Sequence, residues 1–105
     1  MNIRFDNQTV IITGASTGIG RAAALEFGRS GAKVVVNYHQ SKAAAEEVVS
    51  IIQSESGKAI AVQADVSVSS DVKRMVELTQ ETFGEKIDVL VNNAGALIRR
   101  ALIED

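Results

Sequence analysis

Four short apolar runs alternate with three segments of helical periodicity along this 105-residue chain, and this alternation narrows the folds open to it. The runs are rich in Val and Ile and cover residues 9–12, 33–36, 59–62 and 87–91. They lack the in/out alternation of a strand that has one face in water. Continuous apolar runs of this kind are typical of parallel strands covered on both faces. The chain is therefore predicted to be an α/β protein with the pattern β-α-β-α-β-α-β.

The segments between the runs carry apolar residues three or four positions apart, which is the period of a one-sided helix. The first set is Ile19, Ala22, Ala23 and Phe27; the second is Ala45, Val48, Val49 and Ile52; the third is Val72, Met75, Val76, Thr79 and Phe83. These faces are predicted to pack on the sheet. Each helix should be followed by a glycine in the left-handed C' position, at Gly31, Gly57 and Gly84.

The connections between the strands predict their order in the sheet. Because a strand, a crossover helix and a second parallel strand form a right-handed unit in nearly all proteins, the alternating units wind one parallel sheet. We expect the strand order 3-2-1-4, within a single domain that covers residues 1–105. Ligands of such sheets bind outside the carboxyl ends of the strands, at the switch point beside the first strand. The loops after the first, third and fourth strands are therefore the candidate site.

A glycine-rich loop follows the first strand and leads directly into the first helix. Residues 13–21 read Thr-Gly-Ala-Ser-Thr-Gly-Ile-Gly-Arg, with glycines at 14, 18 and 20. Glycines let the main chain turn sharply and approach a pyrophosphate, which then faces the N-H groups and the positive dipole of the helix N-terminus. The string from Gly18 to Ala23 also fits the G-x-G-x-x-G/A dinucleotide fingerprint of Rossmann-type domains. The alternative is a merely tight turn; a P-loop is disfavoured because no Gly-Lys-Ser/Thr follows.

Composition excludes several other classes of function. The net charge is -2 and the 11 Lys and Arg residues are scattered, so nucleic acid is not an expected partner. The chain has no Cys and a single histidine, His39, which predicts neither a disulfide framework nor a metal site. No leader-like start and no apolar run of about 20 residues occurs, so no membrane segment is expected and the cytoplasm is the predicted compartment.

Three motifs in the predicted loops resemble the short-chain dehydrogenase/reductase family. They are Thr13-Gly14-x-x-x-Gly18-x-Gly20 after the first strand, Asp65-Val66 after the third, and Asn92-Asn93-Ala94-Gly95 after the fourth. The resemblance covers essentially the whole chain and implies the cofactor-binding, N-terminal part of a classical member. Within the family, the motifs and residues 34–38 are most similar to 3-oxoacyl-carrier-protein reductases and glucose dehydrogenases.

The resemblance also implies roles for individual residues in binding a nicotinamide dinucleotide. The pyrophosphate would fall to Gly14, Ser16, Gly18, Ile19 and Gly20; the adenine to Asp65 and Val66; the ribose side to Asn92, Ala94 and Gly95. Two of the motifs also admit a structural reading. The alternative for Asp65 is that it caps a helix or shapes a turn, and Asn93 can instead bond neighbouring loops.

The end of the second strand bears on which dinucleotide is bound. NAD-selective Rossmann sites usually carry an acidic residue about 20 positions after the glycines, but residues 37–42 read Asn-Tyr-His-Gln-Ser-Lys. With no acid to repel a 2'-phosphate, we predict NADP(H), with contacts from Arg21, Tyr38, Ser41 and Lys42. The alternative is that Arg21 and Lys42 are ordinary solvated charges, and NAD stays possible.

Catalytic residues are not predicted within this chain. In the family that it resembles, a Tyr-x-x-x-Lys pair, a Ser and an Asn act from positions after the Asn-Asn-Ala-Gly turn, and only ten residues follow Gly95. The string from Tyr38 to Lys42 fits that expression, but it lies on the adenosine side and is rejected. We therefore expect these 105 residues to be the N-terminal part of a longer reductase, or to be completed by another chain.

The predicted function is that of an oxidoreductase which transfers a hydride between NADP(H) and a small carbonyl compound or alcohol. A homo-oligomer is expected. The alternative is a catalytically silent nucleotide-binding or interaction module of the same fold. A flavodoxin-like phosphate binder is disfavoured because it has no use for the Asn-Asn-Ala-Gly turn.

Overall fold

The computed structural model describes residues 3–93 and has the predicted alternation of strands and helices. The elements are β1 (Thr9–Ile12), α1 (Gly18–Arg29), β2 (Lys33–Tyr38), α2 (Lys42–Ser54), β3 (Lys58–Gln63), α3 (Ser69–Phe83) and β4 (Val89–Val91). β1 matches its predicted run, β2 and β3 are longer, and β4 is two residues shorter. The predicted site residues Ala94 and Gly95, and the tail after them, lie outside the described residues.

The four strands form one parallel sheet in the order β3-β2-β1-β4, which confirms the predicted order. β1 is central, and its Ile11 pairs with Val35 of β2 and with Leu90 of β4. Val10 and Ile12 are, like Ile11, 0% exposed. Since all strands run the same way, the loops that follow β1, β2, β3 and β4 meet at one edge of the sheet.

Alternate side chains of the strands point to two separate core layers. Val10 and Ile12 of β1 pack with Ala24 of α1 and with Val48 and Ile52 of α2. On the other face, Ile11, Val35 and Val62 pack with Met75 of α3. The sheet is therefore covered by α1 and α2 on one side and by α3 on the other, as the continuous apolar runs predict.

The packed face of α1 differs from the predicted one. Ala23 and Phe27 are half-buried against the core, as expected, but Ile19 is 81% exposed and Ala22 is also exposed. The buried positions of the helix are instead Gly20, Ala24 and Gly28. The helix is turned so that its smallest residues face inward, because its backbone runs close to the loop after β1 and to α2. The spacing of the large apolar residues therefore did not predict which face of this helix is buried.

The glycines after the helices are only partly as predicted. Gly31 has the expected positive φ, at 93°. Gly84 also has a positive φ, at 105°, but it is the C-cap residue and its ψ of 166° lies outside the left-handed helical region. The prediction for Gly57 is wrong, because the residue with positive φ after α2 is Ser56, at 70°. Gly57 is needed for space instead: a Cβ there would lie 2.6 Å from Cγ2 of Ile52.

Candidate functional site

The glycine loop between β1 and α1 has a conformation that glycine makes possible. Gly14 and Gly18 have φ angles of 59° and 60°. A Cβ on Gly18 would meet nothing within 4 Å, so the main chain is open on that side. α1 begins at Gly18. Its N-cap residue is Thr17, whose side chain makes no capping hydrogen bond within the part of the chain that the structure describes. The first N-H groups of α1 and its positive dipole are thus available to an anion.

Gly20 lies beneath this loop and is buried. A Cβ at this position would collide with the carbonyl oxygen of Gly14 and would lie 2.6 Å from Nδ2 of Asn93. The absence of a side chain therefore lets the start of α1 approach both the glycine loop and the loop after β4. The structure gives Gly20 a packing role in the site.

The loop after β4 is hydrogen-bonded to the glycine loop. The backbone N-H of Asn93 donates to Oγ1 of Thr13 at 2.8 Å, and Nδ2 of Asn93 donates to the carbonyl oxygen of Gly14 at 3.2 Å. The hydroxyl of Thr13 donates to Oδ1 of Asn92 at 3.2 Å. The structural role considered for Asn93 is therefore present, and Asn92 takes part in the same network.

Asn37 at the carboxyl end of β2 joins the glycine loop to β3, and the sequence analysis did not select it. Its side chain is buried, with the residue 2% exposed. Oδ1 accepts from the backbone N-H of Gly14 at 3.1 Å, while Nδ2 donates to the carbonyl oxygens of Val62 and Ala64, each at 3.2 Å. The signal in the sequence was an amide directly after an apolar run, on the strand next to the glycine loop.

The loops after β1, β2 and β4 flank an open crevice of about 490 Å³, here called the loop crevice. It is lined by Gly14, Ser16, Thr17, Gly18, Ile19, His39, Gln40, Ser41 and Asn93. Five of these were predicted cofactor contacts: Gly14, Ser16, Gly18, Ile19 and Ser41. The exposure of Ile19 follows from its position at this crevice. Sequence analysis missed Thr17, His39 and Gln40 as lining residues, although all three lie beside residues that it selected.

Four other predicted contacts, Arg21, Tyr38, Lys42 and Val66, do not line the loop crevice. Arg21 pairs with Glu47 at 3.0 Å, and Lys42 pairs with Glu46 at 3.9 Å. Such surface pairs contribute little to stability, and long side chains exchange partners readily. Tyr38 is half-buried and packs against the core layer under α1 and α2. Val66 packs against the opposite layer.

Asp65 follows β3 and shapes the turn that leads to α3. Its Oδ1 accepts from the backbone N-H of Ser67 at 3.0 Å and from the Ser67 hydroxyl at 2.6 Å. These hydrogen bonds lower the pKa of the Asp65 carboxyl because they favour its charged form. Its Oδ2 lies 3.6 Å from Nε2 of His39. The turn role considered for Asp65 is thus observed, and the carboxylate also faces a residue that lines the loop crevice.

We expect Ser67→Ala to raise the pKa of Asp65 toward that of an ordinary aspartate, because the hydroxyl donor is lost. A carboxyl whose pKa is lower in the folded state than in the unfolded state stabilises the protein at pH values above its unfolded-state pKa. This stabilisation is lost as the pH falls through the folded-state pKa. The variant should therefore lose less stability than the parent on acidification. An NMR titration of the Asp65 carboxyl measures the shift, with Ser69→Ala as the control, and equal pKa values in all three proteins would contradict the assignment.

Within residues 3–93 no group of three or more His, Cys, Asp or Glu side chains is arranged to hold a metal ion. No helix in the same range is both long enough and apolar enough to cross a membrane.

The parallel sheet in the order 3-2-1-4, with helices on both faces and a glycine loop at the switch point, defines a Rossmann-type α/β domain. A family model for the short chain dehydrogenases matches residues 8–105. The chain belongs to the short-chain dehydrogenase family, a family of oxidoreductases, and the resemblance carried by the three motifs is confirmed.

Individual relatives differ in how much of their length the chain covers. It is 49% identical over 88 residues to the short-chain dehydrogenase/reductase homolog YusS of Bacillus subtilis (strain 168), covering 84% of this chain and 80% of that protein. It is 48% identical over 102 residues to a 3-oxoacyl-[acyl-carrier-protein] reductase of Synechocystis sp., covering 93% of this chain and 41% of that one. The chain thus spans about two fifths of the second relative.

Solved structures give the same picture of the fold. A short chain dehydrogenase from Burkholderia cenocepacia J2315 in complex with NADP has a TM-score of 0.83 and 39% identity, over 88% of this chain and 37% of that chain. A 7α-hydroxysteroid dehydrogenase complexed with NADH and 7-oxo glycochenodeoxycholic acid has a TM-score of 0.84 and 39% identity, over 90% of this chain and 36% of that chain.

Proposed function

We propose that this chain forms the cofactor-binding part of an NAD(P)-dependent oxidoreductase that interconverts a small carbonyl compound and its alcohol. The observation that carries the proposal is the loop crevice. The glycine loop, the end of β2 and Asn93 meet there, at the carboxyl edge of the sheet and beside the uncapped start of α1. Ligands of open parallel sheets bind at this edge. The bound nicotinamide would supply the hydride, and the protein would bind and orient it.

The residues present fit a dinucleotide. The open side of Gly18 and the first N-H groups of α1 suit a pyrophosphate, which needs close main-chain approach and donors. Ser16 is largely buried, at 8% exposure, and adds a hydroxyl to the lining of the loop crevice. Asn37 and Asn93 support this arrangement from below, since each bonds Gly14. The adenosine would lie toward Asp65, and the ribose next to the nicotinamide toward Asn92 and Asn93.

We favour NADP(H) over NAD(H), for which the charge at the end of β2 is the argument. Residues 37–42 include no acid, and Ser41 lines the loop crevice. Arg21 and Lys42 lie on the neighbouring helix starts, and either can leave its glutamate for a 2'-phosphate at little cost. Solved relatives complexed with NADP and with NADH are both known, so the choice rests on these residues.

We assign no catalytic role to Tyr38 or Lys42. The packing of Tyr38 against the core layer supports this, and so does the position of both residues at or just after the end of β2, on the side where the adenosine is expected. We propose that the residues for proton transfer come from beyond these 105, in a longer polypeptide or in another chain, with a homo-oligomer as the working form. Substrate choice would lie there as well. If sedimentation showed a stable, monodisperse monomer with no tendency to associate, the proposal that further residues or another chain complete this domain would be contradicted.

Calorimetric titration of NADPH, and then NADH, into the 105-residue chain tests the proposed function. We expect saturable binding, tighter for NADPH. Gly18→Asp should weaken it about tenfold or more, because a carboxylate would point into the open space where the pyrophosphate is expected. Gly18→Asn is the matched control: it has the same shape and a similar tolerance of positive φ, without the charge.

The outcomes separate the possible explanations. Equal weakening by Gly18→Asp and Gly18→Asn would attribute the loss to backbone strain and remove the argument for an anion at this position. No binding of either dinucleotide by a folded chain would contradict the proposed function itself.

A catalytically silent binding module is the second candidate. The match to YusS favours it: because this chain covers 80% of YusS, that relative is about as short as this chain, and no catalytic residue is predicted within this length. Such a protein would bind NADPH without transferring its hydride. Because these 105 residues alone are not expected to catalyse under either candidate, the discriminating experiment uses the complete gene product: a panel of aldehydes, ketones and 3-oxoacyl thioesters is added to its NADPH complex, and the absorbance of the reduced nicotinamide is followed. Substrate-dependent loss of that absorbance supports the oxidoreductase, and a stable signal with retained binding supports the module.

A further inference from the structure

Asp71 lies in the first turn of α3 and holds the main chain of the loop after β3. Its Oδ2 accepts a hydrogen bond from the backbone N-H of Asp65 at 2.9 Å. This bond fixes the direction of the chain at Asp65, from which the carboxylate of that residue projects. Asp71 itself does not line the loop crevice. Its effect on the site would therefore be exerted through Asp65.

The bond to Asp71 is the one that ties Asp65 to a packed helix. The carboxylate of Asp65 is also held by Ser67 of its own loop, and its Oδ2 lies 3.6 Å from Nε2 of His39 in the loop after β2. Both of these partners are exposed loop residues. α3, by contrast, is fixed to the sheet through Met75, which is buried in the core layer on that face. Asp71 thus gives the loop after β3 a rigid support.

A second hydrogen bond from α3 acts two residues before Asp65. Nη2 of Arg74 donates to the carbonyl oxygen of Gln63 at 2.7 Å. Nε2 of Gln63 in turn donates to the carbonyl oxygen of His39, which lines the loop crevice, at 3.2 Å. The start of α3 lies on the sheet face opposite α1 and α2, yet it is connected through the end of β3 to the wall of the crevice.

We propose that Asp71 is a positioning residue for the adenine of the bound dinucleotide, and that it acts through the main chain of Asp65. The inference rests on the proposed function, in which the adenosine lies toward Asp65. A carboxylate accepts a hydrogen bond from an amino group but not from a carbonyl oxygen. Hydrogen bonds weaken steeply as distance and angle depart from the best geometry. Release of the Asp65 main chain should therefore reduce the preference for a base that carries an amino group.

The experiment compares the binding of NADPH with that of its deamino analogue, in which hypoxanthine presents an oxygen in place of the adenine amino group. Calorimetry gives both dissociation constants for the parent, Asp71→Ala and Asp71→Asn; the asparagine keeps a side-chain oxygen that can accept from Asp65. Asp88→Ala is the matched control. Oδ2 of Asp88 accepts from the backbone N-H of Thr9 at 2.8 Å, at the opposite edge of the sheet. Each aspartate also has a cation nearby, at 3.8 Å for Asp71 and 3.4 Å for Asp88.

We expect the parent to bind NADPH about three- to tenfold more tightly than the deamino analogue, as one hydrogen bond of moderate strength would give. Asp71→Ala should weaken NADPH binding by a similar factor and bring the two affinities close together. Asp71→Asn should restore the preference, and Asp88→Ala should keep it while losing stability. If Asp71→Ala does not fold, Asp71→Glu takes its place, because it keeps the charge at the helix start but displaces the accepting oxygen by one methylene group.

The outcomes distinguish the inference from the proposed function. An unchanged preference for NADPH in Asp71→Ala, or equal losses in Asp71→Ala and Asp88→Ala, would overturn the inference. So would a parent that binds the two dinucleotides equally well, although the proposed function would then stand. Failure of the folded parent to bind either dinucleotide would overturn both.

Discussion

Replacing Asn37 with Asp is expected to lower the free energy of unfolding by about 2–4 kcal/mol near neutral pH. Nδ2 of Asn37 donates to the carbonyl oxygens of Val62 and Ala64 at 3.2 Å, in a position that is 2% exposed. Aspartate would replace this donor with an oxygen that faces two other acceptors. A buried carboxylate with no donor on one side is strongly disfavoured relative to its solvated form in the unfolded chain. Urea denaturation at equilibrium measures the change.

The same substitution should make stability depend on pH. Repulsion from the two carbonyl oxygens would raise the pKa of the introduced carboxyl in the folded state above its unfolded value, which is about 3.9. The carboxyl would then lose its proton at a lower pH in the unfolded state than in the folded state. The free energy of unfolding therefore falls as the pH rises from the unfolded-state pKa through the folded-state pKa. The deficit should therefore be smaller near pH 4 than near pH 7. Asn7→Asp, at an exposed position, makes the same chemical change and is the control; an equal deficit in the two variants would contradict the bonding described for Asn37.

Gly20→Ala is expected to destabilise the fold by about 1–3 kcal/mol and to distort the loop crevice. The added methyl group would collide with the carbonyl oxygen of Gly14 and approach Nδ2 of Asn93 to 2.6 Å. The first neighbour is backbone, so relief requires α1 to move away from the glycine loop. Urea denaturation measures the stability, and NADPH titration measures the effect on the site.

Gly18→Ala is the matched control for the crowding at Gly20. A Cβ on Gly18 meets nothing within 4 Å, but the φ of 60° is strained for alanine and costs about 1–2 kcal/mol. The two variants therefore separate crowding from backbone strain. If Gly20→Ala were as stable as the parent, the close approach between the start of α1 and the glycine loop would be wrong.

Much of the architecture could be predicted because it depends on local pattern. The run from Thr9 to Ile12 is continuous and apolar because β1 is buried on both faces, and this appears directly in the sequence. Right-handed crossovers restrict the strand orders that are open to the chain, and 3-2-1-4 was expected because it is the usual order in dinucleotide-binding sheets. Four lining residues of the loop crevice, Gly14, Ser16, Gly18 and Ile19, could be selected from the sequence because the glycine loop is a contiguous segment that begins where a strand ends; their contact with a cofactor stays a prediction.

The errors arose where packing between distant segments outweighed periodicity. α1 buries Gly20 and Gly28 because it lies close to the glycine loop and to Ile52, and small residues give no hydrophobic signal. Ser56, not Gly57, has the positive φ because α2 ends one residue earlier than the glycine predicts, with Glu55 at the C-cap and Ser56 directly after it. His39 and Gln40 were not selected because their place in the crevice depends on the loop after β2 lying next to the glycine loop, and this proximity appears only in the tertiary structure.

The sequence by itself thus determined the element order, the sheet topology, the glycine loop and the family. Tertiary structure decided which polar groups work together: Asn37 with Gly14 and Ala64, Asn93 with Thr13, and His39 with Asp65. The physical reason is that strands and loops form through residues close together in the chain, so their signals can be read from the local sequence. Hydrogen bonds and ion pairs join residues up to 80 positions apart, and their partners are known only once the sheet has brought its carboxyl ends together.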